Sequence, residues 1–127
     1  MLNGIISYLD TFAALRGFDI TPFLREQGTD LPAVVVQLQD LRPAAPTQQF
    51  SSNIDRAEIR LIVLHTSTAA AFSAAKAIRD ILQETRDRSL EGLVYYQFNF
   101  LRMDAGSVNE LDIFTVSLDF ETILEQP

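Results

Sequence analysis

Apolar residues along this chain keep two rhythms, one near 3.6 residues and one of two. Over residues 2–15, Leu2, Ile5, Leu9 and Phe12 share one helical stripe with Ile6 beside it, and Gly17 follows as a stop. The rhythm lapses over 18–31, "FDITPFLREQGTDL", where a proline and a glycine predict a loop with one short turn after Pro22. "LPAVVVQLQDL" predicts a strand over 33–39, entered through a proline where no ladder donor is needed. "RPAAPTQQFSSN", residues 42–53, is polar and holds two prolines, so it predicts a long hairpin loop or an arm. In the strand predicted over 56–65, Ile59, Leu61 and Val63 fall on one face, and Arg60, Ile62 and Leu64 on the other.

The second helix is predicted over 68–86. "TST" offers a capping hydroxyl, and Phe72, Ala75, Ile78, Ile81 and Leu82 make the apolar stripe. Lys76, Asp80, Gln83 and Asp87 lie mainly opposite, and the many alanines give a thin face that can approach a sheet closely. "RDRSLEG" reads as a charged turn. Two more strands are predicted, over 92–103 and 111–122. In the latter Phe114, Val116, Leu118 and Phe120 alternate with Thr115, Ser117, Asp119 and Glu121, one face buried and one wet. "DAGSVNE" joins them as a hairpin loop.

These elements predict an α+β fold, a single domain over 1–127. It is a two-layer arrangement with an about four-stranded, mostly antiparallel sheet, two helices packed on one face, and a long hairpin loop or arm. The strand pairs 33–39/57–65 and 92–103/111–122 are expected to be antiparallel, with the second helix crossing between them.

Charge narrows the partners. The net charge is −7, with one lysine, Lys76, and no basic cluster. Such a chain is a poor binder of phosphate backbones, so no specific nucleic-acid binding is expected. It has no cysteine, which removes disulfides, thiol catalysis and thiolate metal sites. The opening "MLNGIISYLDTFAALRG" lacks a basic n-region and is interrupted by Asn3, Ser7 and Asp10; neither a signal peptide nor a membrane span is expected.

Candidate chemistry is sparse. His65 is the only histidine and ends a strand, whereas a metal site wants three or four ligands. The carboxylate pairs Asp19 with Asp30 and Asp104 with Glu110 sit in polar segments that would not separate their pKa values. The aromatics of "EGLVYYQFNF" lack interleaved basic residues and read as packing. "HTSTAAAF" has no phosphate-cradling glycine, and Ser67 lacks the glycines of a nucleophile elbow. No enzyme, no cofactor and no metal is expected.

The order of elements is more informative. A helix, "LPAVVVQL", a polar loop and a strand lead into "IVLHTSTAAAFSAAKAIRDIL", and the chain closes on "FTVSLDFETIL". This succession resembles the tail terminator (tail completion) proteins of long-tailed bacteriophages, lambda-type or Mu-like. The resemblance spans most of the chain and rests on order and periodicity, without an invariant signature. It implies a virion protein of the tail's head-proximal end, assembled in the bacterial host cytoplasm. It implies a homohexameric ring that ends tube polymerisation, with the tail tube protein and a head–tail connector or neck protein as partners. Six acidic chains would line a lumen that does not grip DNA.

The family has no catalytic residues to carry over. Contact residues are expected in the polar loop at Arg42, Gln48, Gln49, Phe50 and Arg56, and at the hairpin tip at Asp104, Ser107 and Asn109. Phe50, a lone aromatic in a polar arm, is the sharpest of these. Three rivals stand beside this reading: a head-completion or neck adaptor protein or a terminator-like cap of a phage-derived particle; a small enzyme or ligand-binding α+β domain with a concave apolar pocket; and an RNA-binding sheet, which the charge disfavours.

Overall fold

The computed structural model describes residues 2–22, 32–43, 54–108 and 113–125. In chain order the elements are α1 (Leu2–Leu9), β1 (Asp19–Thr21), β2 (Ala33–Pro43), β3 (Ile54–His65), α2 (Thr68–Glu84), β4 (Arg86–Leu90), β5 (Leu93–Val108) and β6 (Ile113–Glu125). A 3-10 turn at Ala13–Leu15 follows α1.

The strands form one six-stranded sheet in the order β1-β2-β3-β6-β5-β4, curled into a half-barrel. This corrects the expected four-stranded, two-layer architecture. Strand makes up 59% of the structure, against about 20–25% in an ordinary globular domain. The two extra strands are short and sit at the edges. β1 spans three residues and pairs in parallel with β2, Asp19↔Ala33 to Thr21↔Val35, so the sheet is mixed. β4 occupies "RDRSL", read above as part of a turn. The true turn is the pair Glu91 and Gly92, with φ of 49° and 83°, between the partnered residues Leu90 and Leu93. Positive φ at both central positions makes a two-residue hairpin whose twist suits the strands.

Other boundaries move outward for the same reason, the pull of a ladder on polar residues. β2 runs on to Pro43, so Arg42 lies in a strand. β5 runs through "DAGSV" to Val108, where a hairpin loop was expected. The helix ends move inward instead: α1 stops at Leu9, short of the expected 2–15, and α2 ends at Glu84, short of the expected 86.

β3 and β6 form the spine, twelve antiparallel pairs in one register from Ile54↔Glu125 to His65↔Phe114. Their neighbours are irregular. β2 slips against β3 between Leu38 and Asp40, and β5 slips against β6 between Tyr95 and Gln97 and again between Phe100 and Arg102. Bulges bend and twist a strand, so a straight spine flanked by bulged strands accounts for the curl.

The concave side holds the core. Ala57, Ile59, Leu61 and Val63 of β3 and Val116, Leu118, Phe120 and Leu124 of β6 are buried against Ala71, Ala74, Ala75, Ile78 and Leu82 of α2. Alanines supply three of those five helix contacts, which lets the helix lie close to the strands. Ser67 caps α2, its hydroxyl accepting from the Ala70 N–H at 3.3 Å.

α1 buries Ile5 and Leu9 in the same core and touches β1 and β2 on one edge and β4 on the other. Three contacts tie it to the β4 side. The Thr85 hydroxyl donates to the Ile81 carbonyl at 2.7 Å, so the Tyr8 hydroxyl is the donor in its 3.0 Å bond to Thr85. The Arg88 guanidinium lies 4.5 Å over the Tyr8 ring. Gly4 lets the backbones meet: a Cβ there would stand 3.0 Å from the Leu90 carbonyl oxygen. A Gly4→Val chain is therefore expected to lose about 1–3 kcal/mol through overpacking. It should melt several degrees lower by circular dichroism; an unchanged midpoint would contradict this account of the α1–β4 contact.

Candidate interface on the charged face of the sheet

Alternation along β3, β6 and β5 places charged residues on the face away from α2. Register sets them in rows. Gln37, Arg60, Asp119 and Arg102 make one row across four strands. Asp40, Glu58, Glu121 and Asn99 make the next, and Arg42, Arg56, Ile123 and Gln97 the one after.

The centre of this face is Asp119, 1% exposed although it sits at a position the alternation reads as wet. Arg60 grips its carboxylate with both prongs, Nε to Oδ1 at 2.8 Å and Nη2 to Oδ2 at 3.3 Å. Arg102 donates from its Nε to Oδ2 at 2.6 Å. The hydrogen bond from Arg60 is the main cause holding Asp119 below the usual carboxylate range; burial opposes it, and Arg102 adds to it. Arg60 is raised in turn, chiefly by the same bond. Two cations on one anion leave a surplus positive charge, and Arg102, 58% exposed, turns toward Asp104 at 3.8 Å.

The other pairs on this face are solvated. Arg42 reaches Asp40 at 3.2 Å and Arg56 reaches Glu121 at 3.6 Å, all four at least partly exposed. Exposed pairs of this kind contribute about 0–1 kcal/mol each, so they shape the surface and do little for stability.

Four of the eight residues expected at contacts lie on this sheet face or its strands. Arg42 and Arg56 are direct cross-strand partners, brought together by the β2–β3 register. Asp104 is exposed and belongs to β5, not to a hairpin tip; its carbonyl accepts from the Ser117 hydroxyl at 3.4 Å. Ser107 is also a strand residue, paired with Phe114. Gln48, Gln49, Phe50 and Asn109 lie outside the described residues. The described residues that flank these positions are far apart. The stems of segment 44–53 stand at the Ile54/Glu125 end of the spine and those of 109–112 at the His65/Phe114 end. A twelve-residue strand separates them by roughly 40 Å.

His65 is engaged locally. Its Nδ1 accepts from the Ser67 N–H at 2.9 Å, and its ring lies 5.8 Å from that of Phe18. Among the described residues no three of His, Cys, Asp or Glu are placed to hold a metal ion. A recess of about 240 Å³ is lined by Asp10, Thr11, Phe12, Ala13, Arg16 and Gly17. It is bounded by one stretch of chain, not by polar groups converging from several elements.

A depressed carboxylate stabilises the fold above the unfolded pKa, near 4, and loses that contribution as pH falls through the lower folded value. Asp119→Asn should therefore destabilise by about 1–3 kcal/mol at neutral pH. In urea titrations the gap between parent and variant should shrink on acidification below about pH 4; a gap that stays constant would show that the ion pairs are not its source.

No protein-family model matches this sequence, and no curated protein does. Among solved structures, a chain in the "Virion of native gene transfer agent (GTA) particle" shares the fold, with a TM-score of 0.69 over 96% of this chain and 93% of that one. Identity between the two is 22%, so the likeness is one of fold.

Proposed function

We propose that this chain is a virion structural protein that caps the head-proximal end of a tail tube. It closes as a ring, ends tube polymerisation, and offers the surface on which head and tail join. It acts by contact alone, without catalysis or a cofactor. The observation that carries this reading is the fold held in common, over nearly the whole of both chains, with a chain of the gene transfer agent virion.

The layout of the sheet supports it. A cap at a junction meets one partner on each side, here the tube protein and a connector or neck protein. The residues that flank 44–53 and those that flank 109–112 stand at opposite ends of the spine, so each end can serve a different neighbour. The mixed charge of the face between them suits contact with polar protein surfaces, and the chain's excess of acid suits a lumen through which DNA passes without sticking.

Electron microscopy of particles assembled without this protein tests the reading. Tubes of uneven or excessive length are expected. Tubes of normal length that fail to join heads would replace it with a neck adaptor role, and normal joined particles would remove both.

A further inference from the structure

Among the described residues the sheet is left open along part of each side. β1 covers only residues 33–35 of β2. From residue 36 to 43, β2 has β3 on one side and no strand on the other among the described residues. β4 likewise covers β5 only as far as Gln97, so residues 98–108 have β6 on one side and no strand on the other among the described residues. An open edge presents a row of unpaired backbone donors and acceptors, a template for another strand.

Val36, Phe98, Phe100 and Met103 pack in or against the core, but most other described residues of these stretches are exposed. β2 is buried through Val36, and then every residue from Leu38 to Pro43 is exposed, whichever face it occupies. In β5, Asn99, Leu101, Arg102, Asp104, Ala105 and Gly106 are exposed. The exposed large hydrophobic residues among those described are Leu38 (41%), Leu41 (47%) and Leu101 (49%), and all three stand on these two open stretches. Scattered apolar residues need no explanation, but three confined to two open edges do.

We infer that the open stretch of β2 in one copy of this chain pairs with the open stretch of β5 in the next, making one sheet continuous through successive copies. Direction favours a second copy as the occupant. β2, β3, β6 and β5 alternate, so β2 and β5 run oppositely. A rotation about an axis along the strands brings them together antiparallel, the arrangement with straight hydrogen bonds. Shape favours it too: β1 shortens one open edge at the His65 end and β4 shortens the other at the opposite end. The two bound the shared ladder from either end, so that under this rotation residues 36–41 of one copy stand at the height of 98–103 of the next.

Charge removes the main objection. Chains at −7 repel each other. Yet residues 36–43 carry one acid and one arginine, Asp40 and Arg42, and residues 98–108 carry Arg102 and Asp104. Both edges are neutral. Each also holds a bulge, at Gln39 and at Leu101, which limits indiscriminate strand addition and pins the register. The contact is heterologous, so it generates a ring where the rotation closes. This inference concerns self-association and does not depend on what the ring caps.

The cysteine-free chain makes the test direct. Leu41→Cys and Leu101→Cys chains, purified separately and confirmed folded by circular dichroism, are mixed without any other protein and treated with a flexible bis-maleimide. A 1:1 cross-linked pair is expected at about ten times the yield from either variant alone, as proximity raises effective concentration. Adding Leu38→Arg to the Leu41→Cys chain should reduce it. A yield no higher than that of a control mixture of Leu41→Cys with Lys76→Cys would overturn the inference. So would equal cross-linking of one variant with itself, which would mean a twofold contact. A positive result alongside normal tails in particles lacking the protein would keep the edge contact and discard the tail-cap role.

Discussion

Everything in this molecule hangs from the pairing of β3 with β6. It is the longest uninterrupted register in the sheet, and it brings together strands separated by a helix and two other strands in sequence. Once it forms, one face of both strands must be covered, and α2, which leaves β3 and crosses toward β5, is the element placed to do so. The flanking strands then follow the spine with slips at Gln39, Tyr96 and Leu101. The curl these produce leaves a gap that a short helix, α1, bridges from edge to edge.

The two faces of the spine are stabilised by different physics. On the concave side, close packing of branched and aromatic residues against a thin alanine helix does the work. On the other side a single buried carboxylate is balanced by two arginines from different strands. That balance is conditional. Remove the acid and two guanidinium groups crowd each other; remove an arginine and a desolvated charge is under-compensated. The charged face therefore enforces the β3–β6–β5 register in a way that apolar packing, tolerant of substitution, does not.

How much of this could be read from the residues varies by element. α2 was plain, because its stripe, its cap and its alanines all agree. The alternation in β3 and β6 was equally plain, and both expected antiparallel pairs exist. β1 and β4 were not legible: three residues carry no period, and "RDRSL" has one apolar residue and every mark of a turn. Both are strands only because a neighbouring ladder accepts them, which is a tertiary fact. The burial of Asp119 was hidden for a related reason. Its partners, Arg60 and Arg102, lie 59 and 17 residues away, and nothing local distinguishes it from a solvated position. The signal was there in weak form, an arginine within each of two apolar strands and an acid within a third. The expected contact residues divide in the same way: the register placed Arg42 opposite Arg56, which spacing in a presumed loop did not reveal.

The place of β6 in the chain has a consequence for how the molecule comes to exist. The strand at the centre of the sheet is the last of the six in sequence. β3 can find β2 early, across ten residues of sequence, but it meets its other neighbour only after some fifty further residues have been made. A fold whose central ladder depends on so distant a closure forms slowly for its size. During translation the first half of the protein waits, with the outer flank of β3 uncovered and available to any passing strand. Assembly of the mature protein is thus preceded by a period in which its own middle is the most adhesive part of it.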